Sequence, residues 1–151
     1  MPDTIEESEA ALYCLEKALA LDPSSLSLYG SKGITLNKLG KHDAAIEAFN
    51  RVTSSSSSQL AALGDEFVDT VISLKAISLV ETGRYGEAQD CYEKLIAKHP
   101  GDTLSWMGLG CVFMLMEQWG IAKQAFKMVL DIDPENAAAK QKLETCIKKS
   151  S

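Results

Sequence analysis

Four stretches of this chain share one register. Ala11, Ala45, Ala88 and Ala122 hold the same place in it. Four residues on come Leu15, Phe49, Tyr92 and Phe126, and three further on Ala18, Val52, Leu95 and Val129. Pro23, Pro100 and Pro134 close three of the copies. Spacings of four and three put each trio on one face of a helix. The first and last steps of the register are 34 residues and the middle step is 43, so about nine extra residues sit in the middle. A period of 34 belongs to a two-helix unit that cannot bury its apolar face alone and stacks on its neighbours. Such a stack offers an extended surface rather than an enclosed pocket.

The 151 residues suffice for one domain with a real core. Hydrophobic residues at 46% against 24% charged fit a folded globular chain and exclude wholesale disorder. A net charge of −6 opposes phosphate backbones. Lys140, Lys142, Lys148 and Lys149 read as solvated cations at the negative end of a last helix. Nucleic acid is therefore not an expected partner. No apolar run reaches the roughly 18 residues of a membrane span, and Met1 to Glu9 is acidic and polar, unlike a secretory leader. No membrane partner is expected, and a cytoplasmic location is. Cys14, Cys91, Cys111 and Cys146 form no C-x-x-C pair, which favours reduced thiols over disulfides or zinc.

Along the chain, Thr4 and Glu7 form a capping box for a helix running to Leu21, with Asp3 and Glu6 adding charge in its first turn. Residues 4–21 read as an N-terminal capping helix or half repeat, and 26–53 as a repeat whose two helices meet at Gly40, a left-handed cap. Residues 54–58, five serines, read as a loop. Residues 59–99 read as a repeat with an extended first helix over 59–81, closed by Gly83, and 103–133 as a further repeat after the His99-Pro100-Gly101-Asp102 turn. A C-terminal capping helix spans 135–149, with Leu143 and Ile147 as its anchors. The expectation is a single all-α domain over 1–151, about eight helices in stacked antiparallel pairs.

At Trp106, Leu109, Gly110, Phe113, Ala122, Phe126, Val129 and Pro134 the chain resembles the tetratricopeptide repeat family. A second copy carries Tyr29, Gly33, Leu36, Ala45, Phe49 and Val52, with Ser57 where proline is expected. Another carries Ile72, Ala76, Leu79, Ala88, Tyr92, Leu95 and Pro100. The resemblance implies an α-solenoid in which small residues let paired helices approach, aromatics fill the space between layers, and the first helix of each pair lines a concave face.

Chemistry for catalysis is sparse. His42 reads as a packing residue at a helix start and His99 as solvated in a turn. Cys111 has no base near it in sequence, and Gly108 to Gly110 lies inside a helix rather than in a phosphate loop. No enzymatic activity, cofactor or metal is expected. On the concave face some members of the family grip a C-terminal carboxylate with lysine, asparagine and arginine; the corresponding places here hold Gly30, Ile34, Leu74, Leu104 and Gly108. The expected partner-binding groove is instead apolar, made of Ile34, Asn37, Leu74, Ile77, Leu104, Met107, Cys111 and Met114. Gly30, Ser31 and Gly108 would let a guest backbone come close. Leu104, Met107, Cys111 and Met114 repeat at three and four, the spacing by which one helix meets another. The chain thus reads as a non-enzymatic scaffold for a protein or peptide ligand. Self-association, through an acidic start (Asp3, Glu6, Glu7, Glu9) and the basic end, is the alternative.

Overall fold

Residues 4–150 are described by a computed structural model. Among them nine helices and no strand occur: α1 (Ile5–Leu21), α2 (Leu26–Lys38), α3 (His42–Thr53), α4 (Ser57–Leu63), α5 (Asp65–Glu81), α6 (Tyr85–Lys98), α7 (Thr103–Leu115), α8 (Trp119–Ile132) and α9 (Ala137–Ser150). Asp3 lies outside the described residues. Two compact units result, Met1–Thr82 and Gly83–Ser151.

The same punctuation starts and stops these helices. Before each of the three prolines, Asp22, His99 and Asp133 leave the helical region and donate their N–H to the carbonyls of Ala18, Leu95 and Val129. A proline next in line excludes the helical conformation there. Two residues after each proline a polar side chain accepts the first free amides of the next helix: Ser25 from Leu28, Asp102 from Leu104, Asn136 from Ala139. Thr4 and Glu7 form the reciprocal capping box expected for α1.

After α2 and after α5 the chain turns through a left-handed residue: Gly40 at φ 74° and Gly83 at φ 78°. Lys41 N–H then donates to Leu36 O across the turn at 2.9 Å. Glu117, at the same place in the register, adopts φ 58°, and Gln118 N–H reaches Phe113 O at 2.8 Å. A side chain in this conformation is disfavoured where glycine is not.

The middle of the chain corrects the expected single long helix and serine loop. Ser54 and Ser55 end α3 without proline, their hydroxyls donating to the carbonyls of Asn50, Arg51 and Val52. Ser56 then caps α4 reciprocally with Gln59, so Ser57 and Ser58 are helical. Gly64, at φ 94°, separates α4 from α5. The extra residues thus form a short separate helix, whose Leu60 and Leu63 pack on the core of the first unit.

In the first unit α1 packs on α2, α2 on α3, and α3 on α5. Its core is Leu36, Ala45, Ala48, Phe49, Val52 and Val71. A Cβ placed on Gly33 would lie 2.5 Å from the Phe49 ring, and one on Gly30 2.5 Å from the Phe67 ring. A polar tie crosses the same interior. Asn37 Nδ2 of α2 donates to Ser78 Oγ at 2.9 Å, and His42 Nδ1 of α3 lies 3.0 Å from that oxygen. His42 is therefore a hydrogen-bonding partner, not simply a packing residue.

In the second unit α6 packs on α7, α7 on α8, and α8 on α9. Phe126, fully buried, lies against Gly110, where a Cβ would sit 2.6 Å from the ring. On α9 the buried residues are Ala139 and Cys146. Leu143 is half-buried and Ile147 exposed, so Ile147 does not anchor the helix as expected. Lys140 and Glu144, polar replacements in the register, face water.

Two substitutions test this packing with opposite signs. Gly110→Ala improves helix propensity by ~1 kcal/mol, yet the new methyl meets a ring with no room to retreat. It should lower stability by roughly 1–3 kcal/mol in urea unfolding; a gain would contradict the ring-on-glycine contact. Glu117→Gly should raise stability by roughly 0.5–1 kcal/mol in the same measurement, because it relieves the left-handed backbone.

Candidate functional site: apolar faces of α7 and of the α2–α5 pair

The α7 sequence is apolar nearly all round, and its neighbours claim only part of it. Leu109, Gly110, Val112 and Phe113 are buried. The stripe Leu104, Met107, Cys111 and Met114 points elsewhere: Leu104 is 79% exposed, and the other three are half-buried. Leu115 beside them is exposed too. Asp102 caps this helix, accepting from Leu104 N–H at 3.1 Å and from Ser105 Oγ at 2.7 Å, which fixes its first turn.

Two residues outside the expected set join the stripe. Tyr92 of α6 lays its ring on Gly108, with the phenol oxygen 2.8 Å from where a Cβ would stand. Lys142 of α9 lies within electrostatic reach of the Cys111 thiol. Gly108 is therefore occupied by a ring of the same unit, as Gly30 is by Phe67, and neither offers the close approach to a guest backbone read from the sequence. The signal for Tyr92 was present: it holds the aromatic place of the register, one helix before a helix with two glycines.

Burial raises the pKa of the Cys111 thiol, and the nearby lysine only partly opposes this. Burial also raises Tyr92, helped by the thiols of Cys111 and Cys91, and raises Cys146, helped by Cys111. A thiol held above its ordinary value is a poor nucleophile at neutral pH.

In the first unit the candidate residues divide. Ile34 and Leu74 are half-buried against the core cluster. Ile77 is 41% exposed. Asn37 lies between them, its amide donating to Ser78 Oγ and, at 3.5 Å, to Leu74 O. That amide ties α2 to α5. The Ser78 and His42 pair has the separation of a nucleophile and base, but Ser78 is fully buried and already accepts from Asn37; it is a helix tie. Among the described residues no group of three or more His, Cys, Asp or Glu forms a metal site, and no helix is long and apolar enough to cross a membrane.

Sequence reasoning passed over a second apolar stripe, which lies in the second unit. On α8, Ile121, Ala125, Met128 and Ile132 repeat at four, three and four beside the core stripe of Ala122, Phe126 and Val129, and three of them are exposed.

Cys111 should be labelled by a thiol reagent more slowly than exposed Cys14 at neutral pH, and Lys142→Met should slow it further. The raised groups also give stability a pH dependence. An unfolded thiol titrates near about pH 8.5. The folded chain keeps the proton that the unfolded chain then releases, so stability is full below that pH and falls as pH climbs through the raised values. Thermal unfolding between neutral and alkaline pH checks the sign; rapid labelling of Cys111 at pH 7 would contradict the assignment.

Several solved structures share this fold. MamA superposes with a TM-score of 0.81 at 18% identity, covering 96% of this chain and 80% of that one. YrrB, described as a TPR protein with an unusual peptide-binding site, gives 0.79 at 18% identity over 97% of this chain and 71% of its own. The first TPR of Spaghetti (RPAP3), bound to the HSP90 peptide SRMEEVD, gives 0.65 at 19% identity over 82% and 90%. A curated relative, the protein CTR9 homolog of Arabidopsis thaliana, is 29% identical over 137 residues. That match covers 89% of this chain but 12% of the relative, so the chain spans a small part of its length. The profile of the tetratricopeptide repeat matches residues 5–59 and 74–137. With the helix pairs, their shared register and most of the length accounted for in this way, the chain belongs to the tetratricopeptide repeat family.

Proposed function

We propose that the chain is a non-enzymatic protein–protein interaction module. Its principal docking surface is the α7 stripe of Leu104, Met107, Cys111 and Met114. The observation that carries this reading is the exposure of Leu104, at 79%, at the head of an apolar stripe with helical spacing. A contiguous apolar stripe that its own unit leaves partly open supports an interaction surface. The partner segment presents its own apolar side chains, as an amphipathic helix or an extended peptide. Methionine supplies flexible, polarizable contacts suited to such a surface. Ile34, Leu74 and Ile77 offer a smaller surface of the same character on the first unit.

Two of the similar structures are described with peptide sites or peptides, which supports a peptide or protein partner. The peptide SRMEEVD is acidic, whereas this chain has net charge −6 and places glycine, isoleucine and leucine where a carboxylate clamp would stand. An apolar segment without a required terminal carboxylate fits these residues better.

Met107→Lys with Met114→Lys, and separately Leu104→Lys, should weaken binding of a captured partner by about tenfold or more, roughly 1.4 kcal/mol. Circular dichroism should show unchanged helicity. Unaltered partner binding by both variants would overturn the assignment of this surface.

A further inference from the structure

The face of α7 opposite the proposed docking stripe forms the floor of a second surface. At about 100° per residue, Trp106, Leu109 and Phe113 sit roughly 140° round the helix from Met107, Cys111 and Met114. Together with α6 and α8 they line a cleft of about 670 Å³, within the ~300–1,000 Å³ typical of ligand sites. Ile121 and Met128, from the second stripe of α8, form one wall. Glu93 of α6 and Asp131 of α8, both exposed, also line it.

The first unit shows what belongs at this place in the repeat. There the register puts Tyr29 for Trp106, Lys32 for Leu109, Ala44 for Ile121 and Arg51 for Met128. The Arg51 guanidinium lies 4.6 Å above the centroid of the Tyr29 ring. The corresponding cleft is about 350 Å³ and carries Lys32, Glu47 and Arg51. The first unit therefore covers its own aromatic with its own cation.

The second unit has dropped that cation and enlarged the cleft. Met128 replaces the arginine, and leucine and isoleucine replace lysine and alanine. Trp106, the best ring for a cation, keeps its position by donating Nε1–H to Pro100 O at 2.9 Å. Its polar edge is thus occupied and its face is what the cleft can use. The same cleft lining carries two carboxylates, Glu93 and Asp131, against one cation, Lys127.

We propose that this cleft binds an arginine-bearing amphipathic segment of a partner protein. The guanidinium stacks over Trp106, as Arg51 does over Tyr29, and is drawn by Glu93 and Asp131. Aliphatic side chains of the same segment rest on Leu109, Phe113, Ile121 and Met128. Guanidinium suits this place better than ammonium, being planar and weakly hydrated. The site is separate from the α7 stripe, so the two can hold different segments of one partner or different partners.

The test uses the full chain and a fluorescein-labelled 14-residue peptide of alanine, leucine and arginine, with leucines at helical spacing. Its counterpart carries glutamate in place of arginine. Anisotropy should show the arginine peptide binding at least about tenfold more tightly than the glutamate peptide. Met128→Arg, which reinstates the cation of the first unit, and the uncharged Ile121→Gln should each weaken it by about tenfold. Both positions are exposed, so both variants should fold. Glu16→Gln on α1 changes the net charge as Met128→Arg does and should leave the affinity alone, as should Met107→Lys with Met114→Lys. No binding, equal binding of the two peptides, or full affinity in Met128→Arg overturns the proposal. So does a concentration-dependent dimer dissolved by Met128→Arg, which would give the cleft to a second copy of this chain.

Discussion

Four times in this chain an aromatic ring presses against a helix backbone at a glycine. Phe49 meets Gly33 and Phe126 meets Gly110 within a helix pair. Phe67 meets Gly30, and Tyr92 meets Gly108, between one pair and the next element of the same unit. The ring needs a bare backbone there, because a methyl would stand 2.4–2.6 Å from the nearest ring carbon, closer than packed carbons approach. The contact brings helices close and fixes their order. It also consumes the glycines: residues that looked like room for a ligand are already filled by the protein itself.

Once those contacts are made, the distribution of the remaining apolar surface follows. α7 is apolar on most sides, and α6 and α8 cover only the arc that carries Leu109, Gly110, Val112 and Phe113. Leu104, Met107, Cys111 and Met114 remain on one side. The cleft over Trp106 remains on another. The signature residues of the repeat therefore determine packing, while the two proposed binding surfaces take their side chains from the α7 stripe between those positions and from the outward parts of Trp106, Leu109 and Phe113. The raised pKa values of Tyr92, Cys111 and Cys146 belong to the same picture, since they record a poorly solvated, largely apolar interior.

The helix pairs were legible because a 34-residue period, a three–four spacing and proline caps all point the same way. The break at Gly64 was not, because the apolar spacing from Leu60 to Leu74 runs straight through it and periodicity carries no information about φ. The serines misled for a related reason: Ser56 acts through a reciprocal cap with Gln59, which composition alone hides. Ser78 accepts from Asn37 and meets His42, a tie across three helices that the pattern of no single helix predicts. The α8 stripe was visible in the sequence as Ile121, Ala125, Met128 and Ile132. Its meaning emerged only by comparison with Arg51 over Tyr29, a contact between residues of different helices.

The central claim is that residues off the repeat signature on α7 form the binding face. The five methionines, Met1, Met107, Met114, Met116 and Met128, make this directly measurable, since ¹³C-methyl labelling of methionine reports both faces at once. On titration with a protein that the chain captures, Met107 and Met114 methyl signals should shift while Met116 stays fixed. Binding that leaves Met107 and Met114 unmoved would contradict the account.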